Sequence, residues 1–216
     1  MIDDRQPAAV MRRVPWVRMG AAALALVLTA LTALTARAEP ARYTVDPEHF
    51  VVAFLVDHIG YARTLGLFRE ASGSFTFDES TATLSDMRIV VRTASVFTNH
   101  DKRDRHLRSG DFLDSEAHPE MTFTAATARR VGEREYAVEG TLALRGETRP
   151  LTLRATWNKS AQYPIPSGML GGKPYVMGVS ARGSFRRSEF GMTYAVGNGW
   201  VGDEVELIIE LEARRE

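Results

Sequence analysis

Five histidines, at positions 49, 58, 100, 106 and 118, are the residues best suited to chemistry in this chain of 216 residues. Their intervals give no tight ligand spacing, so a metal site would have to be assembled in space, from His58, His106 and Asp104. The run Arg103-Asp104-Arg105-His106 has the makings of a polar catalytic nest. Charge runs on a short helix are more often pairs that fix a loop. The motifs of better-known chemistries are missing. There is no Gly-x-Ser-x-Gly elbow, no His-Glu-x-x-His and no Gly-x-Gly-x-x-Gly, and Gly171-Gly172-Lys173 runs into Pro174 where a phosphate loop needs Ser or Thr. With no cysteine, disulfides, thiolate nucleophiles, Fe–S clusters and cysteine-held zinc are excluded. The residues therefore point away from an enzyme, and neither a cofactor nor a resident metal is expected. A metal-dependent enzyme is the competing class.

The elements that would position these residues alternate with a period of two. From Glu204 to Glu212 every odd position is apolar and four of the five even positions are Glu, a strand with one dry and one wet face. Similar alternation, or enrichment in β-branched and aromatic residues, marks Tyr43–Asp46, Phe50–Asp57, Gly73–Phe77, Ala82–Arg92, Met121–Ala128, Tyr136–Leu144, Leu151–Trp157 and Tyr175–Phe185. Turn signals such as Asp78-Glu79-Ser80 and Val131-Gly132-Glu133-Arg134 separate them. Thr98–Leu113 is too charged for a strand and predicts a short helix capped by Thr or Asn. His58–Gly66 reads as a turn or helical pinch, and 162–174, with Pro164, Pro166 and Pro174, as a loop. Such a meander must close into a barrel or fold into two packed sheets, and about eight strands make a barrel just wide enough for one ligand.

The first 38 residues stand apart. Arg12, Arg13 and Arg18 precede an apolar run, Gly20–Ala36, and Ala36-Arg37-Ala38 offers small residues at a cleavage site. That order predicts a signal peptide over 1–38 and a mature domain over 39–216; an uncleaved anchor is the alternative. The whole chain balances 27 basic against 27 acidic residues, and removal of 1–38 leaves 22 against 25, a net charge of −3. Nothing in that balance recommends nucleic acid as a partner.

Several segments stand out in order: Asp46-x-x-His49 followed by Val52, Phe54, Val56, His58 and Gly60; Gly66-x-Phe68 with Ser72-Gly73; Thr93-x-Ser95-x-x-Thr98; RDRHLRSGDFLD at 103–114; HPEMTF at 118–123; GTLALRGETRPLTL at 140–153; and RSEFGM at 187–192. Together they resemble the YceI family, bacterial polyisoprenoid-binding proteins with a lipocalin-like barrel. The resemblance implies an all-β, lipocalin-like antiparallel barrel of about eight strands with one or two short helices. It implies a periplasmic carrier whose apolar interior holds a long polyisoprenoid, such as a polyprenyl quinone or phenol, or a similar amphiphilic lipid. It also suggests a homodimer with transient membrane contact. A scaffold that merely uses the barrel in a stress response, and a lipid-modifying enzyme, are the other readings.

The parity of Val52, Phe54 and Val56 aims them inward, with His58 on the same face near the strand end. There its imidazole either serves the fold or bonds a lipid head group. Phe112 is expected to plug one barrel end. With Phe68, Phe123, Trp157 and Phe190, which as aromatic residues belong to the core or the pocket wall, these make up the expected ligand-binding set.

Overall fold

The computed structural model describes residues 39–166 and 172–216. The expected signal segment, 1–38, and the centre of the 162–174 loop lie outside the described residues. The described residues form ten strands: β1 (Ala41–His58), β2 (Ala62–Phe68), β3 (Ala71–Asp78), β4 (Thr83–Arg92), β5 (Val96–Phe97), β6 (Glu120–Arg130), β7 (Glu135–Leu144), β8 (Glu147–Gln162), β9 (Tyr175–Arg186) and β10 (Glu204–Arg215). One α-helix, α1 (Asp101–Arg108), and two 3₁₀ turns, Thr93–Ser95 and Arg187–Phe190, complete the described elements.

Eight of the strands close a ring, β1-β3-β4-β6-β7-β8-β9-β10, in which β10 pairs back to β1 from Tyr43↔Arg215 to Leu55↔Glu206. Closure removes the open edges that a sheet of this length would otherwise expose. The expected antiparallel barrel of about eight strands is therefore present. The remaining two, β2 and β5, extend the wall beside the second half of β1.

The two apolar runs expected at Tyr43–Asp46 and Phe50–Asp57 are one strand. The register of β1 against β10 slips between Val45 and Phe50, a bulge that lets 18 residues bend around the barrel. Below the bulge β1 pairs with β3, Thr44↔Ser74 for example; above it β1 pairs with β2, as in Val56↔Thr64. We call the end where β1 begins the base and the end where it finishes, at His58, the mouth.

His58–Gly66 departs from its expected turn. Only Ile59-Gly60-Tyr61 turns, with positive φ at Ile59 and Gly60, and Ala62–Phe68 then forms β2. Gly66, which argued against a strand, is there for space: a Cβ on it would lie 2.3 Å from Cζ of Phe54. The helix is also shorter than its charged segment, and its cap is His100, whose Nδ1 accepts from the Arg103 amide at 3.2 Å, instead of Thr or Asn. Asn99 is occupied otherwise, in the left-handed region at φ 60°.

Candidate functional site

The inward residues near the base interlock. Tyr43 stacks on Phe75 with ring centroids 5.4 Å apart, and Phe77 meets Tyr136 and Trp157 edge-on. Near the mouth the same inward faces surround a cavity of about 320 Å³. Phe54, Val56 and Phe68 form one wall, Met121 and Leu144 the opposite one, and Phe185 and Val205 the side between. The roof is not sheet at all. Leu107 of α1, Phe112 and Leu113 after it, and Met192, Tyr194, Trp200 and Val201 from the segment joining β9 to β10 cover the cavity.

Two polar devices hold that roof. Asp104, buried on α1, accepts from the Thr98 amide at 2.9 Å and from the Thr98 hydroxyl, while Arg103 donates to the Thr98 hydroxyl at 2.7 Å and to its carbonyl at 2.8 Å. The 103–106 cluster thus fixes the helix by hydrogen bonds to Thr98. From the same cluster His106 also forms a hydrogen bond with Asp111 at 2.9 Å. The second device is Arg187, only 3% exposed. Its guanidinium donates to the carbonyls of Gly202, Met192, Tyr194 and Val201 at 2.7 to 2.8 Å and lies over the Phe112 ring. Burial lowers its pKa, with Asp203 opposing. Four carbonyl acceptors at both ends of one loop make Arg187 the staple that keeps 192–202 folded over the barrel.

Five of the nine expected ligand-binding residues line this cavity: Phe54, Val56, His58, Phe68 and Phe112. Phe112 takes the plugging position expected of it, packed against His106 and Tyr194 at centroid distances of 5.0 and 5.4 Å. Val52 and Phe123 face inward but lie in the packed core below the cavity. Phe190, buried to 1%, stands behind the wall, edge-on to Phe185. Trp157 is at the other end: it lines a separate, more polar cavity with Glu79, Thr81 and Tyr136, and its indole donates to Ser160 at 2.8 Å. Nothing in the sequence marks Tyr194 or Trp200, since the 192–202 segment carries no period, and Arg187 shows only as the first residue of the RSEFGM motif.

The rim is apolar and aromatic. Ile59, Tyr61 and Trp200 are exposed, Tyr61 to 90%, and the Ile59 amide donates to the Trp200 carbonyl at 3.0 Å. Among the described residues the His58 imidazole and the Thr64 hydroxyl, both on the cavity lining, have no hydrogen-bond partner. The spatial trio left open by the sequence, His58, His106 and Asp104, is not brought together as a ligand set among the described residues, since Asp104 serves Thr98 and His106 serves Asp111. Among the described residues a different trio, Asp46, His49 and Glu212, has its ligand atoms within 4.8 Å, but Arg214 donates to the same Asp46 oxygen as His49 at 2.7 Å and already supplies the balancing charge.

Residues 43–213 match the family model described as the YceI-like domain. The chain belongs to the YceI family. A YceI protein of Salmonella arizonae is 36% identical over 191 residues, which cover 88% of this chain and 95% of that protein. The YCEI protein of Campylobacter jejuni, a solved structure, is 27% identical with a TM-score of 0.62, over 74% of this chain and 90% of its own. A polyisoprenoid binding domain from Saccharophagus degradans, at 13% identity, shares the fold with a TM-score of 0.61 over 82% of this chain and 100% of that one. The residues that line the mouth cavity, from Phe54 to Val205, all lie within the matched span.

Proposed function

We propose that this YceI-family chain is an exported binding and carrier protein, not an enzyme, that holds an isoprenoid or similar amphiphilic lipid in the cavity at the barrel mouth. The observation that carries the reading is the cavity itself: an apolar chamber of about 320 Å³ whose rim is also apolar. Water in such a space finds few partners, and each methylene that replaces it is worth about 0.8 kcal/mol. His58 and Thr64, unpartnered on the lining, are the groups to which a head group such as a quinone carbonyl or phenol hydroxyl would bond. An amphiphile leaves a bilayer only through a dry route, so the exposed Ile59, Tyr61 and Trp200 would meet the membrane surface transiently.

The carrier works in the periplasm after cleavage following Ala38, as the order of charged, apolar and small residues in 1–38 suggests. It works as a homodimer, which light scattering would check. Native mass spectrometry of gently purified protein, followed by solvent extraction, tests the central reading: a stoichiometric lipid is expected, and a mass equal to the bare chain under conditions that preserve added prenols would overturn it.

A further inference from the structure

The cavity closes well short of the base. On β1, β6, β7 and β10 the innermost lining residue is followed, two positions nearer the base, by a residue of the closed core: Phe54 by Val52, Met121 by Phe123, Leu144 by Leu142, Val205 by Leu207. On β1 the lining runs through Phe54, Val56 and His58, about 13 Å of strand, and the layer of Val52, Phe123, Leu142 and Leu207 forms the floor. Phe123 is its tightest member. Gly140 of the neighbouring strand has no Cβ, and the Phe123 ring occupies that place; a Cβ there would lie 2.6 Å from Cζ. Below Phe123 packed side chains continue down to Tyr43, which is fully buried, and the polar cavity at the base is separate from the chamber. A cavity of about 150 Å³ holds one benzene, so the space of about 320 Å³ holds roughly a dozen carbon atoms.

We infer that this barrel selects by length, enclosing a prenyl chain of two to three isoprene units and stopping it on Phe123. The inference rests on the carrier reading above and narrows it: the ligand is a short prenyl lipid, or the end segment of one, in place of a long chain threaded through the whole barrel.

The test is a ladder of all-trans prenols, from geraniol through farnesol and geranylgeraniol to the five-unit prenol, titrated against the mature protein by displacement of a fluorescent fatty acid. Affinity is expected to rise about a hundredfold from two units to three, as enclosed methylenes are added, and to change less than about threefold from three to five. A steady rise through five units would overturn the length limit and leave the carrier reading standing. No displacement by any prenol would overturn both. In Phe123→Ala the plateau is expected to move to the four-unit prenol, with the circular dichroism spectrum retained; Leu142→Ala takes its place if Phe123→Ala does not fold. A plateau unmoved in the folded variant would overturn the assignment of the floor to this layer.

Discussion

The base and the mouth of this barrel are built from the same alternating strands, yet the hollow at the base is polar and flanks a packed aromatic core, whereas the chamber at the mouth is apolar. At the base, rings from facing strands meet each other, and Tyr43 and Tyr175 both donate to the carboxylate of Glu79, at 2.5 and 3.0 Å. Burial first, then the hydrogen bond to Glu79, raises both phenol pKa values. At the mouth, the roof is irregular chain carried on Arg187 and Asp104, and it spans the interior without filling it. The difference lies in who supplies the covering atoms. Strands that supply their own aromatic rings pack tightly around Tyr43, whereas a separate roof leaves an apolar chamber beneath it.

The sharpest way to break this comparison is to place a charge in each face of β1 above the bulge. Phe54→Asp puts an unpartnered carboxylate in the chamber and is expected to abolish lipid binding and cost about 4 kcal/mol, read by denaturant titration with circular dichroism as the check on folding. Leu55→Asp, on the outer face, should cost less than about 1 kcal/mol and leave binding intact. Ala53 shares that outer parity but is itself buried, so Leu55 is the cleaner control.

Arg187→Leu should release the roof and spare the base. We expect about 3 kcal/mol of destabilisation, because several carbonyls lose their donor, and weaker lipid binding as the roof over the chamber loosens. Tyr43→Phe is the counterpart at the base. It should cost about 1 kcal/mol in denaturant titration and leave lipid affinity unchanged, since no lining residue touches the Tyr43–Glu79 bond.

Acid and alkali probe the bulge that divides the two regions. Burial tends to raise the Asp46 pKa, but hydrogen bonds from His49, the Glu48 amide and Arg214 outweigh it and hold the group below 3.8. The hydrogen bond to Asp46 raises His49 above 6.5. Asp46 therefore contributes stability above pH 3.8 that is lost as pH falls through its lower folded value. His49 contributes below pH 6.5, and that contribution is lost as pH rises through its higher folded value. Thermal melts should show greatest stability between these limits, and Asp46→Asn should flatten both limbs. The smallest effect is expected of Trp200→Ser: stability within about 0.5 kcal/mol of the parent, with weaker sedimentation on lipid vesicles.

Alternation made most of the wall legible. The Glu residues of β10 and the branched residues of β4 declare one wet and one dry face, and both lie where the sequence puts them. Parity reports which side a residue faces but not its height along the barrel axis. That is why Val52, Phe123 and Trp157 fit an inward set and yet stand below the chamber or at its far end. Where β2 lies, Gly60 and Gly66 mimic a loop, because glycine signals both a turn and a close approach, and only the position of the Phe54 ring separates the two. Arg187 belongs to a family motif, but nothing in its neighbours signals that four carbonyls converge on it. The 192–202 segment has no period, and its conformation is set by its ends.

The pairing of β1 with β10 has a consequence for how the molecule is made. Arg42 receives the Glu216 amide on its carbonyl at 3.0 Å, so the ring is sealed by residues from opposite ends of the chain. A strand emerging early must wait, with one edge bare, until the last strand arrives. Loop-closure entropy of that span is lost before the seam returns any contact, which predicts slow, late-committing assembly and a vulnerable interval in which the bare edge can recruit another chain. Joining residue 216 to residue 42 by a short linker and opening the chain at the Val131–Arg134 turn would move the seam inward and shorten that wait.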